Sequence, residues 1–122
     1  MKIRISGNSL RLRLSQHEVL QLVASGQVVS SCKFPDNVLH YEIRHGDYPG
    51  ITASCTDNTI SILVPSGLVN NWDADERVGF DTMDASGLFI LIEKDFQCLK
   101  PRPHEDESDL FPNPAASVDT YD

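Results

Sequence analysis

Side chains that commonly bind metals are concentrated near the C-terminal end of the chain. A thiol, an imidazole and several carboxylates lie within one short segment, and the candidate metal ligands are Cys98, His104, Glu105 and Asp109. Such side chains suit zinc or another transition metal. The spacing matches no established metal motif, because neither the cysteine nor the histidine has a second member nearby. We keep metal binding as an alternative and expect no cofactor.

Cations form a second group of candidate binding residues, at the other end of the chain. Lys2, Arg4, Arg11 and Arg13 alternate with isoleucine and leucine on either side of the turn residues 6–9. A period of two predicts two half-buried strands, so the four cations should share one face. The simplest interpretation is a solvated sheet face. The alternative is an anion-binding surface made of Arg4, Arg11, Arg13 and Arg44, with Glu93 nearby.

A basic face of this kind would also suit an enzyme that acts on an anionic substrate. The tunnel-shaped hydrolases of triphosphates open on a Glu-x-Glu-x-Lys pattern, and residues 1–5 contain no carboxylate. Cys98 has no identifiable histidine partner for nucleophilic catalysis. The sequence therefore assigns no catalytic residue.

Residues 88–92 are five consecutive apolar residues that follow the turn-forming residues 84–87. A short apolar run bounded by turn residues predicts a central strand that is covered on both faces. Two helices are also expected. Ser15 and Glu18 have the spacing of a capping box, and Gly26 suits a left-handed C-cap. Ser66 should cap a second, short helix that carries Trp72.

Alternation elsewhere in the chain predicts further strands and hairpin turns. The fold class that we predict is α+β, with a strongly curved, mainly antiparallel and barrel-like sheet of about eight strands and two short helices. On parity along their strands, Cys32 and Cys55 should be buried. No internal repeat is evident in the sequence.

Length and charge limit the possible partners. The chain has 122 residues, which suits one domain over residues 1–100. Its net charge of −8 argues against nucleic acid and anionic membranes as partners. Three cysteines without paired spacing, together with no apolar run of membrane-spanning length, favour a cytoplasmic protein.

The charge is unevenly distributed, and the C-terminal part is acidic. Residues 101–122 hold one basic residue against six acidic ones, whereas residues 1–45 hold six against three. We interpret residues 101–114 as an acidic, proline-punctuated docking tail anchored by Phe111, Pro112 and Pro114, and residues 115–122 as disordered. The acidic residues should lie against Arg11, Arg13 and Arg44. The tail could dock on its own chain, on a second copy in a homodimer or on another protein.

Both ends of the chain resemble a family of short, uncharacterised bacterial proteins that is classed as a domain of unknown function. The matching residues are MKIRISGNSLRLRL at the N-terminus, and EKDFQCL, Arg102 and EDESDLFPNP near the C-terminus. The resemblance implies one small cytoplasmic bacterial domain and carries no known activity. From the residues themselves, the function that we favour is a non-enzymatic interaction module.

Overall fold

Four antiparallel hairpins account for all the strands in the part of the chain that the structure describes. A computed structural model gives the structure and describes residues 1–98 and 104–114. The hairpins are β1 (Lys2–Ser6) with β2 (Ser9–Leu14), β3 (Gln27–Lys33) with β4 (Val38–Gly46), β5 (Thr52–Thr56) with β6 (Thr59–Pro65), and β7 (Gly79–Met83) with β8 (Phe89–Lys94). Gly7 in the first hairpin, and Asp57 and Asn58 in the third, have the positive φ angles that two-residue hairpin loops require.

Two helices connect the hairpins. Helix α1 (Gln16–Ser25) begins at the predicted capping box between Ser15 and Glu18 and ends at Gly26, whose φ is 88°. These local signals are confirmed, because capping depends only on neighbouring residues. Helix α2 (Ser66–Val69) follows Pro65. Ser66 is its first helical residue and not its cap, so that detail of the prediction is wrong.

The hairpins combine into two four-stranded sheets. The first sheet has the strand order β1-β2-β8-β7 and the second has the order β3-β4-β6-β5. In each sheet the inner strands of two hairpins pair in parallel, namely β2 with β8 and β4 with β6. Eight strands and two helices are as predicted, but among the described residues the strands form two separate mixed sheets and no closed barrel. Each sheet is open because its two outer strands pair on one side only and do not pair with each other.

The two halves of the chain repeat the same arrangement of hairpin, helix and hairpin, and each sheet takes one hairpin from each half. Equivalent core residues lie fifty positions apart in the chain, as in Leu10 and Ile60, Leu12 and Ile62, Val19 and Val69, and Leu22 and Trp72. The expectation of no internal repeat is therefore wrong. The repeat is difficult to see in the sequence because it preserves apolar character and not residue identity.

A single hydrophobic core joins the inner faces of both sheets and both helices. Trp72 is fully buried, and its indole N–H donates to the carbonyl of Arg77. Cys32 and Cys55 are exposed, which corrects the prediction that they are buried. Cys55 does face the same side of the sheet as its buried partner Ile60, as its position in the strand predicts. It is nevertheless exposed, because it lines an open cleft at the edge of the second sheet.

The apolar run 88–92 forms most of β8, which pairs on both sides and is therefore an inner strand, as predicted. Ile90 and Ile92 are buried against the core, whereas Phe89 and Leu91 on the other face are only partly buried. The prediction of cover on both faces is wrong. The outer face of the first sheet is open to solvent along this strand.

Candidate functional site

The outer face of the first sheet brings the N-terminal cations together. In the antiparallel register Lys2 lies opposite Arg13 and Arg4 lies opposite Arg11, so all four side chains project from the same side. Like charges directly opposite each other destabilise a strand pair. This arrangement therefore costs the fold free energy unless anions lie nearby. We call these four residues the basic face.

Glu93 supplies one anion from β8, where it lies opposite Arg13. Its Oε1 accepts hydrogen bonds from Arg11 Nε at 2.6 Å and from Arg13 Nε at 3.1 Å. The Glu93 side chain is 12% exposed and the two arginines are about a third exposed. One carboxylate thus balances part of the charge of two guanidinium groups, and both cations still reach solvent.

The remaining two cations differ in their partners. Lys2 Nζ lies 2.9 Å from Asp95 Oδ2 and 3.9 Å from Glu105 Oε2. Arg4 is exposed and forms no ion pair with any residue that the structure describes. Positive charge is therefore least compensated around Arg4, near the turn of the first hairpin.

Apolar side chains continue the same face beyond the cations. Phe89 and Leu91 line a cleft of about 300 Å³ together with Arg4 and Arg11. Met83, on the neighbouring edge strand, is 63% exposed. Within the described part of the chain, every outward-facing residue of the first sheet is at least partly exposed. The face thus combines guanidinium groups with exposed apolar surface.

Arg44 does not belong to this face. It lies on β4 in the second sheet, where its Nε donates to Glu42 Oε2 at 2.8 Å. Strand parity predicts that Arg44 faces outward, which is correct, but parity does not tell to which sheet a strand belongs. The predicted grouping of Arg44 with Arg4, Arg11 and Arg13 is wrong.

The C-terminal segment 104–114 lies against its own chain at the end of β8 and the start of α1. The backbone N–H of Phe111 donates to Asp95 and that of Gln97 donates to Phe111, while Gln16 donates to the carbonyls of Asp109 and Leu110. Leu110 is 7% exposed, and Phe111 contacts Phe96 with ring centroids 5.9 Å apart. Pro112 and Pro114 are exposed. Leu110, and not Phe111, is the more buried residue of this segment.

The acidic residues of the segment do not lie against the predicted arginines. Glu105 approaches Lys2, Glu107 Oε1 accepts from the backbone of Cys98, and Asp109 accepts from the backbone of His17 in the first turn of α1. Arg11 and Arg13 pair instead with Glu93. A carboxylate at a helix N-terminus is favourable because the backbone N–H groups there lack intrahelical acceptors. The prediction that the acidic residues lie against Arg11, Arg13 and Arg44 is therefore wrong.

Lys94 is a buried cation at the end of β8 that none of the predicted sites includes. Its Nζ donates to the carbonyl of Asp75 at 2.7 Å and lies 5.9 Å from the Trp72 ring centroid and 5.1 Å from that of Phe111. Burial lowers the pKa of Lys94 below its ordinary value, against the opposing effect of the nearby Asp75. Lys94 follows Ile90 and Ile92 at every second position along β8, and this alternation could have predicted that its side chain points inward. Phe111 thus connects the C-terminal segment to this buried charge.

The predicted metal ligands are not gathered into a site. Residues 1–98 and 104–114 contain no group of three or more histidine, cysteine or carboxylate side chains arranged to hold a metal ion. Cys98, His104, Glu105 and Asp109 all lie in that part of the chain, so the proposed cluster is not formed. The carboxylates of the segment contact Lys2 and the start of α1 instead.

Comparison with known proteins identifies the chain at the level of its family. A model described as a family of unknown function (DUF7009) matches residues 1–115. The chain belongs to this family. The resemblance to a domain of unknown function that the end motifs indicated is thereby confirmed. No curated protein and no solved structure matches the chain.

Two further predictions concern parts or properties of the chain outside these observations. The predicted disorder of residues 115–122 lies outside the described residues, and so do residues 101–103, the start of the predicted docking tail. No helix in the described residues is long and apolar enough to cross a membrane. A bacterial origin and a cytoplasmic location stay predictions.

Proposed function

We propose that this member of the DUF7009 family is a non-enzymatic interaction module that binds an acidic segment of a partner protein on its basic face. The observation that carries the proposal is the register of β1 and β2, which places two pairs of cations opposite each other and leaves Arg4 without an ion pair to any described residue. An acidic partner would relieve the repulsion that the fold itself leaves in place.

The chemistry of the face favours a protein partner over a small anion. Phe89 and Leu91 lie beside Arg4 and Arg11 in one open cleft. An acidic chain with interspersed apolar residues would match both components, because interfaces combine apolar contacts with charge complementarity. The net charge of −8 would repel a long polyanion such as nucleic acid outside the patch itself.

An enzyme that uses the same face is the second candidate. Its only support is that Arg11 and Arg13 could hold a phosphate or a carboxylate. Glu93, the carboxylate best placed to act as a base, is hydrogen-bonded by both of these arginines. Its Oε1 is thus already engaged by both arginines within the sheet, which favours the binding module.

A direct test measures binding of a fluorescent peptide that alternates glutamate with leucine. Arg4→Ala should weaken binding by up to about fivefold, the effect of about 1 kcal/mol for one exposed ion pair. Arg4 suits this test because its removal leaves the contacts of Glu93 intact. Arg44→Ala is the matched control, since it removes an exposed strand arginine from the other sheet, and it should leave affinity unchanged.

Other probes separate the alternatives. Binding should weaken with added salt, as expected for a charged surface. A single-stranded oligonucleotide of equal charge that binds more tightly than the peptide would replace the protein partner by nucleic acid. Displacement of the peptide by inorganic phosphate at low concentration would favour the anion-binding enzyme. Equal loss in Arg4→Ala and Arg44→Ala would contradict the assignment of the face.

A further inference from the structure

The strand β5 is an unprotected sheet edge. The outer strands of the two sheets are β1, β7, β3 and β5. An open edge presents backbone N–H and C=O groups that can pair with another strand, and proteins commonly place charges there to prevent this. Three of the edges contain a charged residue within the strand, as Arg4 in β1, Lys33 in β3 and Asp81 in β7. β5 has the sequence Thr-Ala-Ser-Cys-Thr and contains none.

The hairpin geometry determines which backbone groups of β5 point outward. The loop of Asp57 and Asn58 has φ angles of 51° and 58°, which is typical of a type I′ turn. Such a turn is closed by a hydrogen-bonded pair, here Thr56 with Thr59. Since hydrogen-bonded and non-hydrogen-bonded pairs alternate, Ala53 and Cys55 direct their N–H and C=O groups away from β6. Their backbone groups are the ones available for a new partner.

An apolar cleft borders the same edge. Ala53 and Cys55 line it together with Ile5 and Leu88, and its volume is about 260 Å³. Ile5 is 59% exposed. A strand added to β5 would therefore cover apolar surface in addition to pairing its backbone.

We propose that a second copy of this chain occupies this edge, by antiparallel pairing of β5 with β5 across a two-fold axis at Ser54. In that register Ala53 pairs with Cys55 of the second copy and Cys55 pairs with its Ala53, so four backbone hydrogen bonds form and both second sheets join into one sheet of eight strands. Ala53 and Cys55, whose backbone groups point away from β6, pair with each other across the two copies, so the edge is self-complementary. Because β5 contains no charged residue, this pairing brings no like charges together.

The first half of the chain supports this choice by contrast. Ser54 is equivalent to Arg4, fifty positions earlier, and Arg4 occupies the same place on the edge strand β1. The same pairing of β1 with β1 would place Arg4 opposite Arg4, which is unfavourable. Self-pairing is thus blocked at one edge and open at the equivalent one. A five-residue edge is a small interface, so we expect a dimer that dissociates on dilution.

Sedimentation of the full chain over a dilution series tests this inference. The wild type should form a reversible dimer at high concentration. Ser54→Arg should remain a monomer, because it places two cations at the two-fold axis, and it should melt like the wild type because Ser54 is exposed. Ser54→Thr is the matched control and should dimerise like the wild type.

Crosslinking tests the register independently of dimer strength. Residues opposite each other in a non-hydrogen-bonded antiparallel pair have Cα atoms about 4.5 Å apart, within the range that a disulfide spans. In a Cys55→Ser background, Ser54→Cys should therefore oxidise to a disulfide-linked dimer. Thr52→Cys, on the same exposed face but away from the axis, should remain mostly monomeric. A wild-type chain that stays monomeric up to millimolar concentration would overturn the proposal, as would a dimer that survives Ser54→Arg.

Discussion

Arg4 and Arg44 are both exposed arginines on strands, but only Arg44 has a carboxylate of its own strand to pair with, since its Nε lies 2.8 Å from Glu42 Oε2. Arg4 faces Arg11 across the ladder instead. We therefore assign different roles to the two arginines. The charge of Arg44 is compensated and contributes to the fold, whereas the charge of Arg4 is not compensated and is available to a partner. Single residues of one type therefore have to be judged by their neighbours.

Leu110 should be the main anchor of segment 104–114. Replacing it with alanine should lower the free energy of unfolding by about 2 kcal/mol, the lower end of the cost of a leucine-to-alanine change in a core. Pro112→Ala, an exposed change two residues later, should cost less than about 1 kcal/mol. Urea denaturation measures both. Equal effects of the two substitutions would show that the segment is not held by burial of Leu110.

Glu42 should make folding stability depend on pH in the acidic range. The hydroxyl of Ser61 donates to Glu42 Oε1 at 2.7 Å, and this hydrogen bond, with the contribution of Arg44, lowers the pKa of Glu42 below its ordinary value of 4.5. A lowered pKa in the folded state stabilises the fold above the ordinary value, and the contribution is lost as the pH falls through the lowered pKa.

Acidification from neutral pH to below pH 4.5 should therefore destabilise the wild type more than Glu42→Gln, which cannot titrate. Ser61→Ala should reduce this acid dependence, because it removes the largest cause of the pKa shift. Chemical denaturation at several pH values gives the comparison. Parallel curves for wild type and Glu42→Gln would show that Glu42 does not contribute in this way.

At the scale of elements, the close approach of β7 to β8 depends on one glycine. A Cβ atom at Gly79 would lie 2.1 Å from the carbonyl oxygen of Ile92 and 2.7 Å from the Cα of Glu93, closer than any side chain can come. Gly79→Ala should therefore displace β7 and cost about 1–3 kcal/mol, as overpacking commonly does.

Gly67→Ala is the matched control for this substitution, because a Cβ atom there would meet nothing within 4 Å. It should leave the thermal midpoint nearly unchanged. Since Gly79 lies opposite Glu93, Gly79→Ala should also disturb the amide resonances of Glu93. A Gly79→Ala variant as stable as Gly67→Ala would mean that β7 does not approach β8 as closely as described.

The sequence predicts those elements that depend on neighbouring residues and does not predict those that depend on residues far apart in the chain. Helix α1 was predictable in full, since its capping box and its glycine C-cap are local. Hairpins were predictable from turn residues and alternation. The division into two sheets was not, because the parallel pairing of β2 with β8 joins residues about eighty positions apart, and alternation does not identify a strand's neighbour.

The candidate site was predictable to the same extent. The four cations of the basic face lie on one short hairpin, so alternation alone brings them together. Glu93 and Arg44 lie far along the chain, and only the sheet topology decides that Glu93 joins the face and Arg44 does not. Lys94 continues the inward parity of Ile92, but a charged residue at an inward position is usually read as exposed.

At the scale of the whole molecule, the notable feature is a basic surface on an acidic protein. The net charge is −8, yet the cations of β1 and β2 and the apolar Phe89 and Leu91 share the open face of the first sheet. The acidic segment 104–114 meets this face at one edge, where Glu105 approaches Lys2 and Asn113 lines a cleft with Arg11 and Arg13. Most of the face therefore remains available to a partner within the described structure.

Mapping the acidic peptide on the full chain by NMR tests this account most directly. The alternating glutamate and leucine peptide should shift the side-chain Nε–H resonances of Arg4, Arg11 and Arg13, together with amides of β1, β2 and β8, and should leave the Nε–H of Arg44 unchanged. Shifts that centre on the second sheet or on segment 104–114, or no shifts at peptide concentrations where anisotropy reports binding, would contradict the assignment of the basic face as the interaction surface.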